Sequence, residues 1–227
     1  MRPDICAPAL TPDVLLLSCC SYLGYGLMAA RAAVLKEAEA ADAHPCLRAS
    51  VSYAYGGATV TASGADPATA QCSAVAAAAL RADASCAPAP KAECGFAGAW
   101  GGGGGPGAAA FYVSSYFFDR AAQAGALPDG AIAAPVTPRD FADAAAEACA
   151  ASPAKLSGDA AAEMSAADRD FFCLDLAYCH ALLTTGFGLQ DDTAVTLVKQ
   201  VSYRGKPVEA AWPLGAAIDA LGSTEEE

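Results

Sequence analysis

Apolar residues cluster along this chain in two distinct rhythms, and the rhythm names the element. Val14–Cys19 is a short run that is apolar but for Ser18, the pattern of a buried strand. From Gly24 to Glu39 the spacing becomes helical, with Leu27, Met28, Val34 and Leu35 near one face and Arg31, Lys36 and Glu37 pointing away. Pro45 disfavours helical geometry before it, so this helix ends in the Ala-Asp-Ala-His-Pro segment. Residues 44–109 hold no sustained period and read as a loop region rich in Gly, Ala, Pro and Cys. Phe111–Phe118 has the aromatic content of a buried strand, and Asp119–Gly125 follows as a short helix closed by its glycine. Thr137 caps the next helix, with Pro138 in its first turn and Asp140 three residues on, and the helix runs to Ala150.

The longest predicted helix starts at Ser165, with Asp168 in the capping-box position. Phe172, Leu176, Cys179 and Leu183 form its core stripe, and Gly186 stops it. Thr196–Tyr203 alternates as a strand does and turns at Arg204-Gly205-Lys206-Pro207. At the end, Trp212 precedes Pro213 and an amphipathic helix through Leu221. There the indole either anchors the helix in the core or stacks on a planar ligand near unpaired backbone N–H groups. Strands and helices mix without a strict alternation, which predicts an α/β fold with a mixed sheet flanked by helices.

A chain of 227 residues supports one good-sized core. Its 25 acidic residues outnumber 13 basic ones, for a formal charge of −12, and so acidic a surface has no electrostatic footprint for nucleic acid. No apolar run reaches the ~18 residues of a membrane span. Val14–Leu17 is too short for the core of a secretory signal, and Asp4 and Asp13 flank it badly.

The ten cysteines point toward an oxidising compartment, where disulfides persist. Cys46, Cys72, Cys86, Cys94, Cys149 and Cys173 fall at loop-like or helix-boundary positions. They show no paired spacing, and with only His44 and His180 as imidazoles a zinc site is unsupported. Many cysteines without a secretory signal are expected where the natural N-terminus extends beyond Met1. The glycines of Gly101–Gly105 lack the spaced Gly-Lys-Ser/Thr of a phosphate loop and read as surface loop.

Four blocks in order carry a family likeness: SYLGYGLMAAR (Ser21–Arg31), SSYFFDRAAQAG (Ser114–Gly125), CLDLAYCHALLTTGFGL (Cys173–Leu189) and AAWPLGAAIDAL (Ala210–Leu221). Together they resemble the C-terminal half of the apyrase family, the ecto- and Golgi nucleoside tri- and diphosphohydrolases. The likeness spans Val14 to Leu221. It implies the second lobe of an actin-like (ribonuclease H-like) nucleotide phosphohydrolase over residues 14–209. Residues 1–13, with three prolines, become an irregular leader, and residues 210–227 a terminal helix returning to the first lobe plus an acidic tail. It also implies nucleoside di- or triphosphate substrates, Ca²⁺ or Mg²⁺ as cofactor, and a lumenal, extracellular or membrane-associated setting.

The family's phosphate loops, of the DAGSTGSR and DLGGxSTQ kinds, do not occur here. Asp13 is the only acidic residue in the right neighbourhood, and Cys20 stands where a histidine is common. Attack of water on a terminal phosphate needs a base, a bridging divalent ion and donors for the transferring oxygens. Asp119, Asp175 and Glu209 are dispersed and read as structural or solvated, with Asp175 bonded inside its own lobe. The expectation is therefore a chain without catalytic residues, inert alone. Two alternatives stand beside it: a noncatalytic nucleotide-binding or decoy protein, and a disulfide-stapled structural domain.

The resemblance also assigns positions. Phe118, beside Tyr116, falls at the aromatic that stacks on the base in animal relatives, and Arg169 falls within one residue of the arginine on its other face. Trp212 joins them as a candidate. The interleaved cysteine pattern of apyrases implies Cys46–Cys86, Cys72–Cys94 and Cys149–Cys173, leaving Cys6, Cys19, Cys20 and Cys179 free. An exposed apolar face is expected where the first lobe, or another chain, would pack.

Overall fold

The computed structural model describes residues 4–9, 17–22, 24–38, 44–47, 52–55, 58–61, 67–84, 94–97, 99–100, 110–150, 164–203 and 206–209, and every structural statement below concerns those residues. In chain order they form β1 (Asp4–Ala9), β2 (Leu17–Tyr22), α1 (Leu27–Glu37), β3 (Ser52–Tyr55), β4 (Ala58–Thr61), α2 (Thr69–Ala79), β5 (Cys94–Phe96), β6 (Ala99–Trp100), β7 (Tyr112–Ser114) and α3 (Tyr116–Gln123). There follow β8 (Ala133–Val136), α4 (Pro138–Ala150), α5 (Ala166–Asp170), α6 (Phe172–Ala181), a π-helical turn (Leu182–Gly186), β9 (Val195–Val198), β10 (Gln200–Tyr203) and β11 (Lys206–Glu209).

The core is built around α6. Its sequence FCLDLAYCHA is apolar at nearly every position, so it has no face suited to water and is buried all round. α1, α2, α3 and α4 all pack against it. The expected stripe of Phe172, Leu176, Cys179 and Leu183 is buried, but so are the residues between. The single long helix expected from Ser165 is divided in three. Phe171 adopts φ −99°, ψ 4° between α5 and α6, and the π-turn widens the last stretch before Gly186.

β9 lies at the centre of a three-stranded sheet ordered β7-β9-β8, parallel to β7 and antiparallel to β8. This is the mixed sheet with flanking helices that the sequence predicts. The strand expected over Phe111–Phe118 is shorter. β7 ends at Ser114, Ser115 turns the chain at φ +67°, and α3 already begins at Tyr116. Gly125, at φ +75°, closes that helix region as expected. The Thr137 start is also as expected: its N–H donates to Asp140 Oδ2 at 2.7 Å, and Asp140 N–H donates back to Thr137 Oγ1 at 3.4 Å. The turn after Tyr203 pairs it directly with Lys206, in an antiparallel β10–β11 hairpin.

Two expectations are corrected by local physics. Residues 4–9 are not irregular: β1 pairs antiparallel with β2 in register Asp4↔Tyr22 to Ala9↔Leu17. Pro8 is tolerated because every strand of a two-stranded sheet is an edge, where a missing N–H need not break a ladder. The loop region 44–109 contains α2 and two hairpins, β3–β4 and β5–β6. Alanine is the strongest helix former, so TAQCSAVAAAA is helical on propensity, and Cys72, Ala76 and Leu80 give it a buried stripe at four-residue spacing. Gly101–Gly105 and the terminal helix with Trp212 lie outside the described residues. Among the described residues, no helix is long and apolar enough to cross a membrane.

Candidate functional site

Three sequence motifs converge on one aromatic ring. Phe96, from CGF, receives Tyr22 at 5.0 Å and Tyr25 at 4.3 Å from SYLGYG, and Phe187 at 5.3 Å from GFGL, measured between ring centroids. Edge-to-face and tilted contacts of this kind add to burial the attraction between ring edge and ring face. The glycines serve this packing. Gly24 turns the chain at φ +93°, and a Cβ on Gly186 would lie 2.9 Å from Leu182 Cδ1 and 3.0 Å from Phe96 Cδ1. Tyr116 joins the group through its hydroxyl, which donates to the Tyr25 carbonyl at 3.1 Å.

Beside these rings lies a buried charge cluster that closes the packing of α1, α3, α5 and α6. Arg31 grips Asp175 with two bonds, Nε to Oδ1 at 2.8 Å and an Nη to Oδ2 at 2.7 Å. The same Nη donates to Asp168 Oδ1 at 2.8 Å. Arg120 completes the square, its Nε 2.9 Å from Asp175 Oδ2 without hydrogen-bond alignment, and an Nη 3.3 Å from Asp168 Oδ1. Arg120 also donates to Gln123. Arg31 is 2 % exposed and Asp175 fully buried, so water contributes little to either charge.

Burial pushes the Asp175 carboxyl up, and the Arg31 hydrogen bonds and charge pull it back only in part. Burial would also lower Arg31, but the bonds and charge of Asp175 and then Asp168 outweigh it and hold the guanidinium above its ordinary value. Asp168 is about one-third exposed. Its desolvation is outweighed by bonds from Arg31 and Ser165 and by the two arginine charges, which hold it below the usual carboxylate range. Arg31 was expected to face solvent and Met28 to face the core. The structure reverses both, with Met28 64 % exposed, because the partner for Arg31 sits on α6. Asp175 does bond within this packing unit, as expected.

The other candidate residues are placed as follows. Phe118 is 4 % exposed and part of the core, with Lys199 Nζ 5.8 Å from its ring centroid. Its face is not offered to a ligand in this conformation. Arg169 is half-buried and occupied locally, its Nε and an Nη donating to the Met164 carbonyl at 3.1 and 2.8 Å. Asp119 is exposed.

Cys149 and Cys173 are bridged, with Cα atoms 4.8 Å apart, as expected. The other pairings are corrected: Cys46 is joined to Cys72, so neither Cys46–Cys86 nor Cys72–Cys94 forms. α2 turns Cys72 inward on its buried stripe. The 44–47 turn is pinned there by His44, whose Nε2 lies 3.3 Å from the Val34 carbonyl and whose Nδ1 accepts the Cys46 N–H at 3.2 Å. Cys86 lies outside the described residues. Cys179 is free and buried, as expected.

Residues 16–227 match the GDA1/CD39 (nucleoside phosphatase) family. The chain belongs to this family. It is 41 % identical over 212 residues to "Probable apyrase 1" of Oryza sativa subsp. japonica, covering 90 % of this chain and 42 % of the relative. It is 42 % identical over 211 residues to "Apyrase 1" of Arabidopsis thaliana, covering 89 % and 43 %. To the mouse "Ectonucleoside triphosphate diphosphohydrolase 5" the identity is 32 % over 218 residues, covering 89 % and 43 %. The chain thus spans less than half the length of these GDA1/CD39 relatives.

The divalent ion implied for a GDA1/CD39 protein does not fit the residues described. Ca²⁺ and Mg²⁺ require several oxygen ligands converging on one point. Among the described residues, the one grouping of three candidate ligands is Cys72, Cys149 and Cys173, which are sulfurs already consumed in bridges. Asp168 and Asp175 are close together but neutralised by Arg31 and Arg120. Asp191, held below the ordinary range chiefly by its hydrogen bond to His180, is exposed and paired with that imidazole at 3.0 Å.

Proposed function

We propose that this chain supplies the framing half of a nucleoside di- or triphosphate hydrolase, an actin-like second lobe, and does not itself carry the groups that activate water. One observation carries the reading: Asp175, the carboxylate inside the CLDLAY motif, is fully buried between two arginines, so it is a structural anion and cannot reach a phosphate. The family match supports the substrate class, and the apyrase and diphosphohydrolase names of the relatives agree with it. No DAGSTGSR- or DLGGxSTQ-like string occurs in these residues. In this reading Ca²⁺ or Mg²⁺ is held by other residues, and Phe118, Arg169 and Trp212 border the base. Phe118 serves there only if its ring leaves the core. A lumenal or extracellular setting accords with two formed disulfides.

The test is phosphate release. Oxidatively folded, purified chain is incubated with ADP or ATP and Ca²⁺ or Mg²⁺, and the expected rate equals the buffer background. Turnover that a chelator abolishes would show that a complete site exists and would refute the proposal.

A further inference from the structure

Four cysteines far apart in sequence meet at one point of the core. Cys46 lies on the 44–47 turn, Cys72 on α2, Cys149 near the end of α4 and Cys173 in the first turn of α6. They form two bridges, but the bridges touch. Cys72 Sγ lies 3.9 Å from Cys173 Sγ, and the sulfurs of Cys72, Cys149 and Cys173 all fall within 4.8 Å of one another. These sulfurs are held together by the packing of α2 and α4 on α6 and not by the bridges alone. We propose that Cys72 and Cys173 are a thiol–disulfide exchange pair, so that the protein has a third bridge, Cys72–Cys173, available when either native one is opened.

The chemistry balances with a dithiol as reductant. The dithiol reduces Cys46–Cys72 to two thiols and is itself oxidised to a disulfide. The Cys72 thiolate then attacks Cys173 Sγ. The Cys72–Cys173 bond forms, the Cys149–Cys173 bond breaks, and Cys149 leaves as a thiolate that takes up the proton Cys72 lost. Opening Cys149–Cys173 first leads to the same product: the Cys173 thiolate attacks Cys72 Sγ and Cys46 leaves. Exchange of this kind needs a thiolate within reach of a disulfide sulfur, and an intrachain partner already in contact has that reach without any loop closure. The third bridge would tie α2 directly to α6. It would release the 44–47 turn and the end of α4 from their bridges, leaving one thiol on each.

Peptide mapping tests this on the whole chain. Cleavage at Arg48, Arg81, Arg139, Lys155, Arg169 and Lys199 puts Cys46, Cys72, Cys149 and Cys173 on four different tryptic peptides, and fragmentation tells Cys173 from Cys179. Folded protein is treated with limiting dithiothreitol, quenched in acid at intervals, alkylated and digested. The expected result is a linked Cys72–Cys173 peptide with alkylated Cys46 and Cys149 in the same samples. Two variants read the same pair from each side. Cys46→Ser leaves Cys72 facing the intact second bridge, and Cys149→Ser leaves Cys173 facing the intact first one. Both should give the Cys72–Cys173 peptide without added reductant.

If either variant does not fold, the wild-type time course decides alone. Native bridges opening singly, with no Cys72–Cys173 peptide at any time, would overturn the proposal and leave two independent structural disulfides.

Discussion

Replacing Asp175 by Asn separates the charge of this residue from its shape. Asn keeps the volume but removes the negative charge and turns one acceptor oxygen into an NH₂ that faces a guanidinium. Arg31, bonded to both Asp175 oxygens at 2.7–2.8 Å, and Arg120, 2.9 Å away, would retain their charges in a dry setting. Their remaining counter-ion, Asp168, is partly solvated and already shared between them. Breaking a buried pair from one side costs about 3–5 kcal/mol, because the other charge is left uncompensated. That is a large part of the about 5–15 kcal/mol by which a domain is stable. With a urea slope of about 3 kcal/mol/M, the midpoint should fall by about 1–1.7 M. The assay is equilibrium urea unfolding followed by circular dichroism. Asp168→Asn, run in parallel, should cost about 1 kcal/mol or less, since solvent screens that carboxylate. If Asp175→Asn unfolds within ~0.5 kcal/mol of wild type, or less readily than Asp168→Asn, Asp175 is not the buried counter-ion described here.

Three further outcomes are expected. Gly186→Ala should lower the thermal midpoint, with a destabilisation of about 1–3 kcal/mol, because its methyl would press on Leu182 and Phe96; an unchanged midpoint would mean that both side chains yield freely. Ser165→Ala removes the acceptor for the Asp168 N–H, 3.1 Å away, and should cost about 1 kcal/mol in the same melt. Burial chiefly holds His44 below its ordinary 6.5, and its Nδ1 is already occupied as an acceptor, so the folded state resists protonation more than the unfolded chain does. Stability should therefore decline as pH falls below about 6.5 and level off below the folded pKa, and His44→Asn should flatten that decline in denaturant midpoints taken from pH 7.5 to 5.

The motif chemistry of the chain was legible locally, while its long-range pairings, Cys149–Cys173 apart, were not. Thr137-Pro138-x-Asp140 and Ser165-x-x-Asp168 announce helix starts because a cap is a contact between residues three apart, and both caps form. Within SYLGYG and GFGL, Gly24 takes the positive-φ turn and Gly186 the close approach to Leu182 and Phe96. α2 was missed because its alanines look like composition bias until Cys72, Ala76 and Leu80 are counted as a stripe. The charge cluster had one local signal, an aspartate inside the apolar CLDLAY, which demands a buried cation somewhere. Nothing near it in sequence names Arg31, 144 positions away.

By itself the sequence determined the family, the caps, the mixed α/β class and the burial of Phe172, Leu176, Cys179 and Leu183. All of these depend on interactions within a turn or two of backbone, or on collinear motifs. Only the tertiary structure decided which face of α1 is buried, that Cys46 pairs with Cys72, and that Phe118 lies in the core. Each of those is settled by which elements meet α6. A long-range contact depends on the free energy of the whole packing arrangement, and no local pattern of residues encodes it.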